Sequence, residues 1–159
     1  MTLPATIVIT TRSEDETLAI GRRLGAALPP GTVLALHGDL GAGKTVLSRG
    51  IAQGLGIAEA VTSPTFTVVQ EYPCGRSGCR FLYHLDMYRI DDEEAALAFG
   101  IDDFLYARDA IVLVEWPERI AGLLEGTGET RFQHVRLDYG DDAESRRITL
   151  SKTLFERIQ

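Results

Sequence analysis

Eight residues, Gly38-Asp39-Leu40-Gly41-Ala42-Gly43-Lys44-Thr45, restrict the folds open to this chain more than any other stretch. They match G-x-x-x-x-G-K-[ST] at every fixed position, a pattern that acts as a turn between a strand and the start of a helix. The flanks comply. Thr32 to Leu36 (TVLAL) is an apolar run suited to a buried strand, and Val46, Leu47, Ile51 and Leu55 mark the apolar face of a following helix. The glycines allow successive N–H groups to point inward at phosphate oxygens, and the helix adds the positive end of its dipole. Lys44 is suited to the β- and γ-phosphates and the Thr45 hydroxyl to Mg²⁺. The expected nucleotide-binding set is therefore Gly38, Asp39, Leu40, Gly41, Ala42, Gly43, Lys44, Thr45 and Val46.

A phosphate loop needs a carboxylate on a nearby strand to hold the metal. Ala110 to Glu115 (AIVLVE) and Cys79 to Asp86 (CRFLYHLD) read as two strands, each ending in an acid. Glu115 is the expected metal ligand together with Thr45. Asp86 is expected to orient the attacking water or to share the metal. Lys44 and Asp86 thus form the expected catalytic pair.

Several further elements are legible. Ser13 and Glu16 have capping-box spacing, so a helix should start there and end before Pro29-Pro30-Gly31. Thr65 to Tyr72 should pair antiparallel with Cys79 to Asp86 across a short turn carrying Cys74 and Cys79, two thiols that are incomplete as a zinc site. Short helices are expected at Asp91 to Phe99 and Asp102 to Tyr106, a second hairpin at His134 to Asp138 and Arg147 to Leu150, and a mobile loop at Glu125 to Thr130. The 159 residues suit one α/β domain spanning 1–159, a P-loop domain with a mainly parallel central sheet and added antiparallel hairpins. A formal net charge of -7 argues against direct binding of nucleic acid, which needs a concentrated positive surface. The start lacks the pattern of a signal peptide, and no apolar run approaches the roughly 20 residues of a membrane span, so a cytoplasmic location is expected.

Beside these motifs stand Ser63-Pro64-Thr65-Phe66-Thr67, His84-Leu85-Asp86-Met87-Tyr88-Arg89 and Val114-Glu115-Trp116-Pro117-Glu118-Arg119. Joined in this order to GDLGAGKT, they resemble the TsaE (YjeE) family, small bacterial ATPases of the tRNA threonylcarbamoyladenosine pathway. The likeness runs from about Ser13 to Arg119 and fades after Ala121. It implies slow hydrolysis of ATP with Mg²⁺ by the chain alone, and work with TsaB and TsaD homologues. TsaD would carry out the transfer to tRNA, and tRNA would be reached only through the complex. It also implies Lys44 and Thr45 for phosphate and Mg²⁺, Glu115 for Mg²⁺, Asp86 for catalysis, and adenine or ribose contacts from Thr11 to Glu14 and from a late arginine, Arg146 or Arg147.

Other roles stay open at this level. Ser63-Pro64-Thr65 suits a switch loop sensing the γ-phosphate or an ordinary turn. Trp116 belongs beside the nucleotide, or in the core or an interface, and Tyr88-Arg89 suits a partner surface. A small-molecule kinase shares the phosphate loop but needs a lid with several arginines, whereas the arginines here are scattered.

Overall fold

The computed structural model describes residues 5–59, 61, 67–125 and 131–159. Ser63-Pro64-Thr65 and residues 126–130 of the loop expected at Glu125 to Thr130 lie outside the described residues. In chain order the elements are strand β1 (Thr6–Thr11), helix α1 (Glu14–Ala27), β2 (Val33–His37), α2 (Lys44–Gly54), β3 (Val69–Pro73) and β4 (Phe81–Asp86). There follow α3 (Glu93–Ala98), α4 (Ile101–Leu105), β5 (Ala110–Glu115), a 3₁₀ turn (Pro117–Ile120), α5 (Ala121–Leu124), β6 (Phe132–Tyr139), β7 (Arg146–Ser151) and α6 (Lys152–Arg157).

The strands form one sheet in the order β1-β7-β6-β2-β5-β4-β3. The fold is α/β, but the sheet is mixed and not mainly parallel. β2 runs parallel to both β5 and β6, and β4 parallel to β5. The pairs β1/β7, β3/β4 and β6/β7 are antiparallel. Both expected hairpins join the sheet itself, and β1 adds a further antiparallel pairing at its edge. Strands β2 and β5 carry no alternation because both of their faces are covered. Leu34, Leu36, Ile111 and Leu113 pack with Leu24, Leu47 and Ile51 of α1 and α2. Val33, Ala35, Val112 and Val114 pack on the other side with Ile101 and Leu105 of α4. No helix among the described residues is long and apolar enough to cross a membrane.

Helix α1 begins as its sequence predicts. The Glu16 N–H donates to Ser13 Oγ at 3.1 Å, while Glu16 Oε2 accepts from the N–H of Arg12, one residue earlier than in the standard box, at 2.6 Å. The helix then lies against α2 with almost no space between backbones. A Cβ added to Gly21 would come 2.5 Å from the Leu47 carbonyl oxygen, and one on Gly25 would overlap the Ile51 carbonyl. Gly50 and Gly54 of α2 meet the Leu18 and Arg22 carbonyls in the same way. On an isolated helix, Gly→Ala would gain about 1 kcal/mol of propensity. Here the obstacle is backbone, which cannot rotate aside, so overpacking of about 1–3 kcal/mol outweighs that gain. Gly25→Ala should therefore lower the midpoint of chemical unfolding; a midpoint at or above that of the parent would refute the close packing.

The turn between β3 and β4 is tied to the far ends of both helices. Gly75 and Arg76 N–H groups donate to the Leu55 carbonyl, and the Arg76 guanidinium donates to the carbonyls of Gly25 and Leu28. Cys74 and Cys79 are free thiols with their sulfurs 3.2 Å apart, and burial pushes the Cys74 thiol up to about 12. Such a thiol holds little thiolate at neutral pH, which makes it a poor nucleophile.

Candidate functional site

Strands β2, β4 and β5 run parallel, so their carboxyl ends emerge along one edge of the sheet. The register is tight there, with Glu115 opposite both Leu36 and Asp86. The phosphate-loop residues leave β2 one residue later and curl back into α2. Gly38 has φ 148° and an added Cβ would lie 2.7 Å from the Leu137 carbonyl oxygen, so no side chain fits. Gly43, at φ 106°, is the N-cap of α2 and supplies no side-chain cap. By contrast, Ser13, Asp92 and Ser151 cap α1, α3 and α6 with side-chain oxygens. Gly43 therefore places no side-chain oxygen over the first turn of α2, and the dipole there favours an anion.

In front of the loop lies a cavity of about 690 Å³, bordered by Leu40, Gly41, Gly43, Lys44, Thr45 and Val46 from the loop and helix. Asp86 at the end of β4 with Tyr88 and Arg89 beyond it, and Glu115 at the end of β5 with Trp116 beyond it, complete its far wall with Thr67 and Val68. Of the expected nucleotide-binding residues, Gly38, Asp39 and Ala42 do not line it. Ala42 is buried behind the loop, and its N–H donates to the Asp39 carbonyl to close the turn. Lys44 is 8% exposed, with Nζ 4.8 Å from the centre of the Trp116 ring. Trp116 therefore stands in the cavity wall, its ring 5.0 Å from that of Tyr88. It is also the sole non-glycine with positive φ among the described residues, at 56°, a strained turn that Pro117 follows at once.

The two carboxylates have different surroundings. Glu115 is buried and accepts a hydrogen bond at Oε2 from Nε2 of His84, at 2.8 Å. Asp86 is half-buried and accepts at Oδ1 from the Tyr88 N–H at 2.9 Å. Burial raises the Asp86 carboxyl above the ordinary range, with the Glu115 charge adding to the rise; the Tyr88 hydrogen bond, His84 and Lys44 oppose it. This difference suits two roles, one acid held in place by a partner and one poised to handle a proton.

The hairpin β6–β7 braces the loop from outside, a contribution absent from the motif reading. The Tyr139 hydroxyl donates to the Leu40 carbonyl at 2.6 Å, and the Arg146 guanidinium donates to the Gly41 carbonyl at 3.2 Å while stacking over the Tyr139 ring. A second cavity of about 270 Å³ adjoins the loop, lined by Glu14 and Thr17 of α1, Gly41, Gly43 and Val46, and Arg146 among others. Arg147 instead pairs with Asp141 at 2.6 Å, so of the two arginines it is Arg146 that reaches the loop.

The cradle fits a nucleotide triphosphate with its metal on the chemistry of its donors. An uncapped helix N-terminus and a buried lysine suit phosphate, while a threonine hydroxyl and a buried carboxylate suit a hard cation.

Comparison with known proteins agrees with the motifs and extends them. The family model described as threonylcarbamoyl adenosine biosynthesis protein TsaE matches residues 11–148, well past Ala121, after which the likeness in the sequence motifs fades. A Bacillus subtilis protein described as tRNA threonylcarbamoyladenosine biosynthesis protein TsaE is 43% identical over 148 residues, covering 93% of this chain and 88% of its own. A Nostoc protein of the same description is 38% identical over 145 residues, covering 89% and 84%. The crystal structure of YdiB from Bacillus subtilis superposes with a TM-score of 0.73 at 30% identity, over 99% of this chain and 97% of that one.

Proposed function

The chain belongs to the TsaE family of tRNA threonylcarbamoyladenosine biosynthesis proteins, and from that premise we propose that it is an ATPase subunit of the tRNA-modifying assembly. The whole chain would act as one P-loop domain, binding and hydrolysing Mg-ATP to support turnover of a complex of TsaB and TsaD homologues. The observation that carries this reading is the convergence of the uncapped α2 N-terminus, Lys44, Asp86 and Glu115 on one cavity.

Within it, the loop from Gly38 to Val46 would hold the phosphates, with Lys44 countering charge at the β- and γ-positions. Thr45 and Glu115 would hold the metal. Mg²⁺, when bound, would neutralise charge that develops on the phosphate oxygens. Asp86, its carboxyl raised by burial, would orient the attacking water and take its proton. The smaller cavity beside Arg146 would receive the adenine or ribose. A net charge of -7 fits contact with tRNA only through the partners, and such a subunit would work in the cytoplasm and not at a membrane.

Phosphate release by the purified chain should be slow alone and rise when the TsaB and TsaD homologues are added together. Phosphate transfer to a small-molecule acceptor, with no response to the pair, would identify a kinase and end this reading.

A further inference from the structure

His84 and Asp86 stand two residues apart on β4, so strand alternation turns both side chains to the same face of the sheet, flanking Glu115 on β5. The His84 side chain is 1% exposed, its Nε2 lies 2.8 Å from Glu115 Oε2, and its Nδ1 has no hydrogen-bond partner among the described residues. Its neighbours Leu82 and Leu85 are apolar and fully buried. A residue needed only for packing here would be apolar too, because a buried nitrogen without a partner is destabilising. An ionised carboxylate only accepts hydrogen bonds, so the Nε2 of His84 carries the proton and donates it to Glu115.

We infer that His84 is the positioning residue of the Glu115 carboxylate, holding Oε2 so that Oε1 is presented to Mg²⁺ in the nucleotide cavity. The inference rests on the Mg-ATP reading above and adds to it a residue outside the phosphate loop and the two strand-end acids. Without the Nε2–H, the Glu115 carboxylate can rotate, and the ordering that the imidazole provides in advance must come from the metal itself. His84 is not among the residues lining the nucleotide cavity; it acts through Glu115.

The test measures affinity for a non-hydrolysable ATP analogue by calorimetry across Mg²⁺ concentrations and in EDTA, using the full chain with its fold checked by circular dichroism. H84F keeps a buried ring and removes the donor; where that ring disturbs folding, H84N, whose shorter amide falls short of Oε2, serves the same comparison. Either should need about 10–100-fold more Mg²⁺ for half-maximal tightening, with affinity in EDTA unchanged. H84Q, which returns an N–H near the position of Nε2, should recover most of that loss. In an E115A background the His84 change should add nothing further. Wild-type Mg²⁺ dependence in the donor-less variants, an equal loss with and without Mg²⁺, or full additivity with E115A would each overturn the inference. A parent chain whose nucleotide affinity ignores Mg²⁺ would overturn the underlying reading as well, and so separates the two failures.

Discussion

Asp86→Asn is expected to lower ATP turnover by about 10²–10⁴-fold, the usual contribution of a positioned general base, and at the same time to raise the melting temperature of the nucleotide-free chain at neutral pH. Asparagine keeps an Oδ1 that can accept from the Tyr88 N–H, so the local turn should survive the change. What it removes is an ionisable group that the folded state holds against burial and against the Glu115 charge. The direction follows from linkage. A carboxyl raised in the folded state favours folding fully below its unfolded value, near 3.9, and that contribution is lost as pH climbs through the raised value. At pH 7 the parent therefore carries a destabilising carboxylate that the variant lacks, and the gap should close as the pH falls into the carboxylate range. Calorimetric melts at pH 7 and pH 4 provide the check, and a variant no more stable at pH 7 would remove the electrostatic account. Turnover within threefold of the parent would remove Asp86 from the chemistry. If instead Mg²⁺-dependent nucleotide affinity collapsed, Asp86 would share the metal with Glu115.

That two acids would meet was readable from their positions at the ends of apolar runs, because parallel neighbours in a sheet finish at a common edge. The loop itself was equally legible, since its glycines and Lys44 answer to local backbone requirements that a motif can record. What stayed hidden depends on residues far apart in the chain. Tyr139 reaches Leu40 across 99 residues, and Arg146 reaches Gly41 across 105, with nothing in either local sequence to announce the target. Strand β1 was missed although Thr6–Thr11 (TIVITT) is rich in β-branched residues, a signal that could have been read. Its inner neighbour is β7, some 140 residues later in the chain, and only the Thr11 end is fully buried. This unread edge strand is one reason the sheet is less parallel than expected. Trp116 could not be assigned from sequence because its placement depends on a left-handed backbone between Glu115 and Pro117, a conformation unusual for tryptophan. His84 was visible at two residues from Asp86, but its role needed the register with β5.

Lys44→Ala should abolish measurable turnover by two effects that Lys44→Arg separates. The first is loss of a cation from the phosphate cradle, where removal of a single preorganised donor costs on the order of 10²–10³-fold. The second reaches Asp86. The Lys44 charge favours ionised Asp86, so its removal should move that carboxyl further upward, leaving less of it able to accept a proton at a given pH. Arginine retains the charge but replaces a compact ammonium with a planar fork, in a position that is 8% exposed and packed against Trp116. Lys44→Arg should therefore lose turnover while keeping Asp86 near its parental titration, and Lys44→Ala should lose both. Carboxyl ¹³C shifts of Asp86 in the nucleotide-free chain read the titration directly, and emission from Trp116, the sole tryptophan of the sequence, reads nucleotide binding in the same samples. Identical Asp86 titrations in both variants would show that the two groups are not coupled. Turnover by Lys44→Ala at the parental rate would show that the cavity beside it is not where ATP is hydrolysed.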